Sequence, residues 1–337
     1  MLIATADIHL SDNLRDEYRL AFMENRLPQI VKSHKAGGVI ILGDITEEKD
    51  RHSAWLVNRV VDAMKGLAAV CPVLVIMGNH DYTSPSDPFF RFLGDIPGIT
   101  WVSQPTHSYH MESKFWRKTL PPSILLPHSR DPEKDWAKLD LQDVEFIFAH
   151  NTFEGATGGF GRELHGVPLS LLPKGVPIIA GDVHVPQTKG VLTYIGAPYH
   201  VDFGDDYQPR LLKFEKHGWH DLPLRGFPQK QLVEIRRLSD LNKQDHLSVG
   251  DILKVRAYPK DYADWPKWRK EIHQWAQEGG YALYQLVCAA RSPAKSSNTD
   301  NDRAAIRDDD EVLRDYAQRM GIDANTLKMG LKIKGRS

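Results

Sequence analysis

The sequence has little cysteine, no long apolar run and almost no net charge, and each shortage narrows the possible classes of protein. Only two cysteines, Cys71 and Cys288, occur in 337 residues, which predicts reduced thiols in a cytoplasmic protein and not a disulfide framework. No apolar run approaches the roughly 20 residues that a membrane-spanning helix needs, and the first residues lack the basic start of a signal peptide. The formal net charge is -1, so binding to nucleic acid would require a local basic patch.

What the sequence does contain is a series of apolar, β-branched runs, each of which ends in polar residues. These runs predict buried strands at residues 2–6, 39–42, 72–76, 144–149 and 176–180. Helices are predicted over residues 15–35 and 52–69, and Pro28 should kink or divide the first of them. Strands that alternate with helices through short connections predict an α/β fold built from βαβ units.

The polar residues at these strand ends are carboxylates, imidazoles and one amide. In chain order they are Asp7 and His9, then Asp44, then Asn79, His80 and Asp81, then His150, and last Asp182 and His184. Each alone would fit a turn or a helix cap, but their recurrence at five strand ends predicts one shared site. Oxygen and imidazole donors without a thiolate suit two divalent ions such as Mn²⁺, Fe²⁺ or Zn²⁺. Two such ions can clamp the oxygens of a phosphoryl displacement.

The order Asp-x-His, Gly-Asp, Gly-Asn-His-Asp, His and Gly-x-x-His resembles that of the calcineurin-like metallophosphoesterases, over about residues 1–215. The resemblance implies a two-sheet α/β sandwich. It also implies a first metal on Asp7, His9, Asp44 and His184, and a second on Asp44, Asn79, His150 and Asp182, with Asp44 bridging. It makes His80 the general acid that protonates the leaving oxygen, and Asp81 the residue that orients His80 through a hydrogen bond.

Within that superfamily, the stretch Tyr-Ile-Gly-Ala-Pro-Tyr-His-Val-Asp-Phe-Gly-Asp at residues 194–205 resembles the Mre11/SbcD nuclease branch. The chain after it predicts three strands, at 231–235, 252–258 and 281–287, with a helix over 265–277. The resulting division is a phosphoesterase domain at 1–225, an α+β capping domain at 226–290, a flexible linker at 291–303 and a helical tail at 304–337. By resemblance, the tail would bind a Rad50/SbcC-like ATPase.

The resemblance also implies a homodimer formed by the two N-terminal helices, with candidate contacts at Leu14, Tyr18, Phe22, Trp55 and Arg59. The alternative is that the apolar side of these helices only covers the sheet. Asp182 stands where the family usually has a histidine, and its added negative charge favours Mn²⁺, with Fe²⁺, Zn²⁺ or Mg²⁺ as alternatives. Glu47 stands where the nuclease branch usually has histidine or aspartate.

The function expected from the resemblance is that of a two-metal DNA phosphodiesterase. It would be an exonuclease or endonuclease subunit in DNA repair or replication that attacks the phosphodiester with a metal-bound hydroxide. Basic residues of the capping segment could hold the DNA backbone, although an ordinary solvated face explains them equally well; they are Lys254, Arg256, Lys267 and Arg269. Two competing functions are a small-molecule or protein phosphatase of the same superfamily and a non-enzymatic scaffold, against which the intact His80 argues.

Overall fold

The computed structural model describes residues 1–136, 140, 142–215 and 218–289 of the chain. In these residues, the strands in chain order are β1 Leu2–Ala6, β2 Gly38–Leu42, β3 Val73–Ile76, β4 Ile99–Val102, β5 Thr106–His107, β6 Ser123–Leu126, β7 Phe146–His150, β8 Ile178–Gly181, β9 Gln187–Lys189, β10 Leu192–Tyr194, β11 Arg210–Glu215, β12 Gly218–Pro223, β13 Lys230–Ile235, β14 Ile252–Ala257 and β15 Ala282–Cys288. The α-helices are α1 Glu17–Ala21, α2 Leu27–Ser33, α3 Ala54–Ala68, α4 Lys114–Thr119, α5 Pro132–Asp135 and α6 Trp265–Glu278.

Two six-stranded sheets stack face to face. The first has the strand order β12-β11-β1-β2-β3-β4, and the second has the order β5-β6-β7-β8-β10-β9. Strands β1 to β4 run parallel to one another, and so do β6, β7, β8 and β10. Leu42 and Ile76 of the first sheet share one buried cluster with Phe148 and Ile179 of the second. The expected two-sheet α/β sandwich is therefore confirmed, and in each sheet several carboxyl ends lie at the same edge.

The helices that follow β1 and β2 cover the outer face of the first sheet. The helix predicted over residues 15–35 forms as α1, a π-helical turn at Phe22–Arg26, and α2. Pro28 lies in the first turn of α2, where its missing N–H costs no helical hydrogen bond. A π-helical turn contains one extra residue, so the proline is accommodated by a change of hydrogen-bonding register and the helix continues beyond it.

Burial changes the set of candidate dimer contacts on these helices. Phe22 is fully buried in the core beneath them, and the Tyr18 hydroxyl donates a hydrogen bond to the His200 carbonyl at 3.1 Å. Phe22 therefore belongs to the interior, and its assignment as a dimer contact is wrong, whereas Tyr18 is only partly buried and stays a candidate. Leu14 and Trp55 are 75% and 39% exposed, so they remain candidates together with the partly buried Arg59, and the homodimer itself stays a prediction.

Strands β13, β14 and β15 form a separate three-stranded parallel sheet. Helix α6 covers one face of it, since Leu253 and Val255 of β14 pack in one cluster with Ile272 of α6. This sheet contacts the sandwich where the Lys230 Nζ atom lies 3.1 Å from Asp16 Oδ1. The predicted strands and helix of the segment are present, while the domain boundary at residue 226 stays a prediction.

The predicted linker at 291–303 and helical tail at 304–337 lie outside the described residues. Within the described part of the chain, no helix has both the length and the apolar character that crossing a membrane requires.

Strand β12 pairs antiparallel with β11 at the edge of the first sheet. The sequence did not predict it because its residues have no regular alternation of apolar and polar side chains.

Candidate metal centre

The predicted ligands come from the carboxyl ends of strands in both sheets. Asp7 and His9 follow β1, Asp44 follows β2, Asn79 follows β3, His150 ends β7, and Asp182 and His184 follow β8. The two sheets meet at this point. The Asp182 backbone N–H donates to Asp7 Oδ1 at 2.9 Å, and His150 Nδ1 lies 2.6 Å from the Leu42 carbonyl oxygen. The structure therefore brings all seven predicted ligands to one centre.

Four of these residues have an unusual backbone conformation. Asp7, His9, Asp44 and Asp182 have φ angles of 54°, 47°, 55° and 83°. This left-handed region is uncommon for residues other than glycine, and strained residues of this kind concentrate at functional sites. In each case the chain has just left a strand, so the turn redirects the side chain toward the centre.

The first predicted set of ligands is arranged as a cation would require. His9 Nε2 lies 3.1 Å from His184 Nε2 and 3.6 Å from Asp44 Oδ2. Asp7 is fully buried, and its Oδ2 atom has no hydrogen-bond partner. On its other side, the His184 ring has Nδ1 3.4 Å from Asp202 Oδ2. A buried carboxylate oxygen without a donor, beside two imidazole nitrogens that face each other, fits a divalent cation.

The second predicted set also fits. Because His150 Nδ1 faces the Leu42 carbonyl, that nitrogen is a donor, and Nε2 is the ring nitrogen that faces the site. Nε2 lies 2.9 Å from Asn79 Oδ1 and 3.3 Å from Asp44 Oδ1. The Asn79 amide oxygen faces only acceptors, with Asp182 Oδ1 at 3.2 Å. Without a metal, turning the Asn79 amide lets its NH2 group donate to Asp44 and Asp182; with its oxygen at this position, a cation would lie among the acceptors. Asp44 contacts both sets, as a bridging ligand would.

Burial and neighbouring charges shift the pKa values of the candidate ligands in different directions. Burial raises the pKa of Asp7 to about 7, and burial lowers the pKa of His9 well below its usual value. For Asp44, burial acts to raise the pKa, but the charge and hydrogen bond of His150 outweigh it, so the pKa is lowered. For His184, burial acts to lower the pKa, but Asp202 and Asp7 raise it to about 9.

Two glycines allow the groups of this centre to approach closely. A Cβ atom on Gly43, whose φ is 79°, would lie 2.3 Å from His150 Nδ1, and one on Gly78 would lie 2.3 Å from Asp44 Oδ1. Real side chains do not make such contacts. The glycines before Asp44 and Asn79 are therefore needed for the second set to form.

His80 and Asp81 have different roles in the structure, and one prediction about them is wrong. His80 lies beside the centre, with its ring centroid 4.9 Å from that of His9, and its Nδ1 atom lies 2.5 Å from the Glu47 carbonyl oxygen. Asp81 does not hydrogen-bond to His80. Instead its buried carboxylate accepts the backbone N–H groups of Gly78, Asp44 and Ile45. Asp81 therefore holds the loops that carry the ligands, and the Glu47 carbonyl orients His80.

The four residues predicted to hold DNA do not share one surface. Lys254 and Arg256 project from the face of β14 opposite to that of Val255, which packs toward α6. Lys267 and Arg269 lie on α6 itself, on the other side of the small sheet. The four side chains therefore cannot contact one stretch of DNA backbone together, and the role of each pair stays a prediction.

Sequence reasoning missed a buried arginine behind the centre. Arg19 is 2% exposed, donates from Nη1 to the His9 carbonyl at 2.6 Å and donates from Nη2 to the Val201 carbonyl at 3.3 Å. Its carboxylate neighbours are Glu47 at 3.4 Å and Asp16 at 3.7 Å. Arg19 therefore ties the backbone of His9 to the loop that carries Asp202, the neighbour of His184. Its place among apolar residues of the first helix was the only signal in the sequence.

The family of the chain follows from residues 2–186, which match the model of the calcineurin-like phosphoesterases. This match covers more than half of the 337 residues, so the chain belongs to that family, and it is a member of the metallophosphoesterase superfamily. Proteins of the family are hydrolases that use divalent metal ions. The side chains gathered here include two groups that could hold one, His9 with Asp44 and His80, and Asp7 with Asp44 and His150.

The individual proteins to which this chain is similar share little of its sequence. The chain is 21% identical over 222 residues to the "Putative phosphoesterase 244L" of Invertebrate iridescent virus 6, across 60% of this chain and 72% of that protein. The nuclease MPE of Pseudomonas putida has 18% identity and a TM-score of 0.33, over 66% of this chain and 87% of the other. Yfce, a phosphoesterase from E. coli, has 14% identity and a TM-score of 0.31, over 63% and 87%.

Proposed function

We propose that this chain is a two-metal phosphodiesterase that cleaves DNA, in the manner of the Mre11/SbcD nucleases. The observation that carries the proposal is a cleft of about 650 Å³ beside the candidate metal centre, lined by residues of the sandwich and of the small sheet together. Glu47 and Asp202 line it from the sandwich, and Lys230 and Tyr284 line it from the small sheet. A small second domain at the entrance of a phosphoesterase site suits an extended substrate such as a nucleic acid strand.

The side chains of the centre suggest how the reaction would proceed. Asp7, His9, Asp44 and His184 would hold one divalent ion, and Asp44, Asn79, His150 and Asp182 the second. Bound there, two such ions would act as Lewis acids on the phosphoryl group and activate water as the nucleophile, and the carboxylate-rich donor set favours Mn²⁺. His80 would donate a proton to the leaving oxygen from Nε2, because Nδ1 is occupied by the Glu47 carbonyl.

The test compares substrates on the full chain after the protein has been stripped of metal and reloaded with Mn²⁺, Fe²⁺, Zn²⁺ or Mg²⁺ in turn. The substrates are single-stranded DNA, double-stranded DNA, bis(p-nitrophenyl) phosphate and p-nitrophenyl phosphate. Cleavage of DNA and of the diester, with little hydrolysis of the monoester, is the expected result. Hydrolysis of the monoester alone would favour the phosphatase alternative, and no hydrolysis with any of the metals would favour the scaffold.

We also propose two protein partners. One is a Rad50/SbcC-like ATPase bound through residues 304–337, whose ten or so apolar residues are many for a solvated tail. The other is a second copy of the chain, for which Leu14 and Trp55 remain exposed. Deletion of residues 304–337 should abolish ATP-stimulated duplex cleavage and spare hydrolysis of the small diester. Loss of the small-diester activity or a lower melting temperature would contradict the first proposal, and a monomeric mass at micromolar concentration would contradict the second.

A further inference from the structure

A second cavity, of about 470 Å³, borders the candidate metal centre. Its lining includes Asp182, one of the predicted ligands, together with His128, Arg130, Thr152 and His165. It shares no lining residue with the cleft that Glu47 and Lys230 line. The cavity therefore adjoins the candidate centre at the ends of β7 and β8, where Asn151, Thr152 and Asp182 line it.

Arg130 is an exposed arginine that lines this cavity, which Asp131, Glu133 and Asp182 line as well. Its guanidinium carbon lies 5.0 Å from the centroid of the Tyr82 ring, and Nη2 donates to the Thr83 carbonyl at 3.1 Å. In the described part of the chain, no carboxylate forms an ion pair with Arg130. The neighbouring Asp131 carboxylate is engaged at the start of α5, where it accepts a hydrogen bond from the Lys134 backbone. The guanidinium is thus positioned on an aromatic platform, with donors left unused.

The segment that carries Arg130 is fixed to the metal centre at two places. The Asn151 side chain, directly after His150, accepts a hydrogen bond from the Ser129 backbone N–H at 3.2 Å and donates one to the Ser129 carbonyl at 3.0 Å. On the other side, the His128 N–H donates to the Met77 carbonyl at 2.8 Å. Arg130 therefore holds a defined position relative to the ends of β3 and β7.

The platform beneath Arg130 belongs to the ligand loop as well. Tyr82 is fully buried three residues after Asn79, and its hydroxyl lies 2.8 Å from His128 Nδ1. The ring centroids of His128 and His150 are 6.3 Å apart. The buried Tyr82 thus contacts both the His128 imidazole and the Arg130 guanidinium. Both groups lie next to the second predicted set of metal ligands, and neither belongs to it.

We infer that Arg130 and His128 form a subsite for a second phosphate of the substrate, next to the one that is cleaved. This inference rests on the proposed function, and it narrows the substrate to a chain with neighbouring phosphates, which is a polynucleotide. A planar guanidinium binds a phosphate through two parallel hydrogen bonds. A substrate with one isolated phosphodiester has no second phosphate to place there, so the subsite would discriminate in favour of longer strands.

The test measures kcat and KM on a ten-residue oligothymidylate and on a thymidine dinucleotide, which has a single phosphodiester. Arg130→Gln should raise KM for the oligonucleotide by roughly 10- to 100-fold, the range for a lost charge-assisted hydrogen bond, with a much smaller change in kcat. The effect on the dinucleotide should be at least about tenfold smaller. Arg130→Lys should recover only part of the loss, because an ammonium cannot form the two parallel bonds.

Two further measurements distinguish the loss of this subsite from the general effect of removing an exposed arginine. In a His80→Ala background, anisotropy titrations of the oligonucleotide should show weaker binding by Arg130→Gln and a salt slope lower by about one ion. The matched control is Arg91→Gln, which removes an exposed arginine that pairs with Asp87 and should change neither value. Equal losses on both substrates, or no loss on the oligonucleotide, would overturn the subsite. Failure of the unmodified protein to hydrolyse either substrate with any of the metals would instead refute the proposed function, and the subsite with it.

Discussion

The Nε2 atoms of His9 and His184 lie 3.1 Å apart, although the two residues follow strands of different sheets. Two imidazole nitrogens at this distance need a proton or a cation between them, since two lone pairs would repel. The pKa values say which histidine carries the proton in the metal-free protein. Burial lowers the pKa of His9, whereas for His184 the contribution of Asp202 and Asp7 outweighs burial and raises the pKa to about 9.

Metal affinity should therefore depend on pH. Below pH 9 a divalent ion must displace the proton of His184, so affinity should rise as the pH increases from 7 to 9, by at most about tenfold per unit, and level off above that. Calorimetric titration of the metal-stripped protein with Mn²⁺ under argon, in buffers of different ionisation heat, measures both the affinity and the proton released. Asp202→Asn should lower the pKa of His184 and move the rise to lower pH. An affinity that is constant across this interval would contradict the assignment of His184 as a ligand.

Arg19→Met should weaken metal binding without touching a ligand. The arginine holds the carbonyls of His9 and Val201, so its loss frees the backbone on either side of the first predicted metal, and outer partners of this kind are worth roughly 10- to 100-fold in metal affinity. Asp16 keeps Lys230 as its partner at 3.1 Å, so the loss of unfolding free energy should come from the His9 and Val201 carbonyls that lose their donor, at about 1–3 kcal/mol each, measured in urea. Arg59→Gln, which breaks a half-exposed pair with Glu24, is the control and should cost about 1 kcal/mol or less.

His80→Ala should retain both metal ions and lose rate, by about 10²–10⁴-fold if His80 acts as a general acid. The loss should be large for DNA and small for bis(p-nitrophenyl) phosphate, because nitrophenolate is a good leaving group that needs no proton. Rates on the two substrates at saturating Mn²⁺ measure this difference. A loss of equal size on both would mean that His80 does something other than protonate the leaving oxygen.

Asp81→Asn should lower the free energy of unfolding, and it should not change how the rate depends on the leaving group. The Asp81 carboxylate accepts three backbone N–H groups, those of Gly78, Asp44 and Ile45. An amide has one accepting oxygen and would present N–H to at least one of these donors, so one or more buried donors would stay unpaired, at about 1–3 kcal/mol each. Urea unfolding of the metal-free protein measures the loss. Unchanged stability combined with a leaving-group-dependent rate would restore the original assignment of Asp81 as the partner of His80.

The grouping of the candidate metal ligands was predictable because these residues lie at the ends of strands that the apolar runs mark. A buried parallel strand must leave the sheet at its carboxyl end, so Asp44 after β2 and Asn79 after β3 had to lie at one edge. The approach of His150 from the second sheet followed from the family resemblance, since nothing in the spacing of the sequence shows how two sheets stack.

The partners of these residues were not predictable. Asp81 next to His80 looks like a side-chain pair, yet the tight loop directs its carboxylate at backbone donors, which a sequence does not display. Arg19 sits in a helix that also presents charged residues to solvent, and only the packing of that helix puts it under His9. The basic residues of β14 and α6 lie close together in the sequence. Side chains alternate between the two faces of a strand, and this alternation directs Lys254 and Arg256 away from α6.

Asp44 contacts both predicted sets of ligands, so we expect it to decide whether two ions bind. Its Oδ1 lies 3.3 Å from His150 Nε2, and its Oδ2 lies 3.6 Å from His9 Nε2. Asp44→Asn preserves the shape of the side chain and removes the negative charge that offsets the repulsion between two adjacent cations. We expect the bound Mn²⁺ to fall from two ions to one or none, and hydrolysis of the diester to fall at least about 100-fold, since a metal ion contributes several kcal/mol to catalysis.

Metal content by mass spectrometry and turnover of bis(p-nitrophenyl) phosphate measure the two effects of Asp44→Asn. The control is Asp62→Asn, an exposed aspartate on α3, which should retain both ions and full turnover. Circular dichroism of the metal-free variants should match that of the unmodified chain, because Asp44 lies outside the hydrophobic clusters that hold the two sheets together. Two bound ions and normal turnover in Asp44→Asn would refute the bridging role and, with it, the two-metal mechanism.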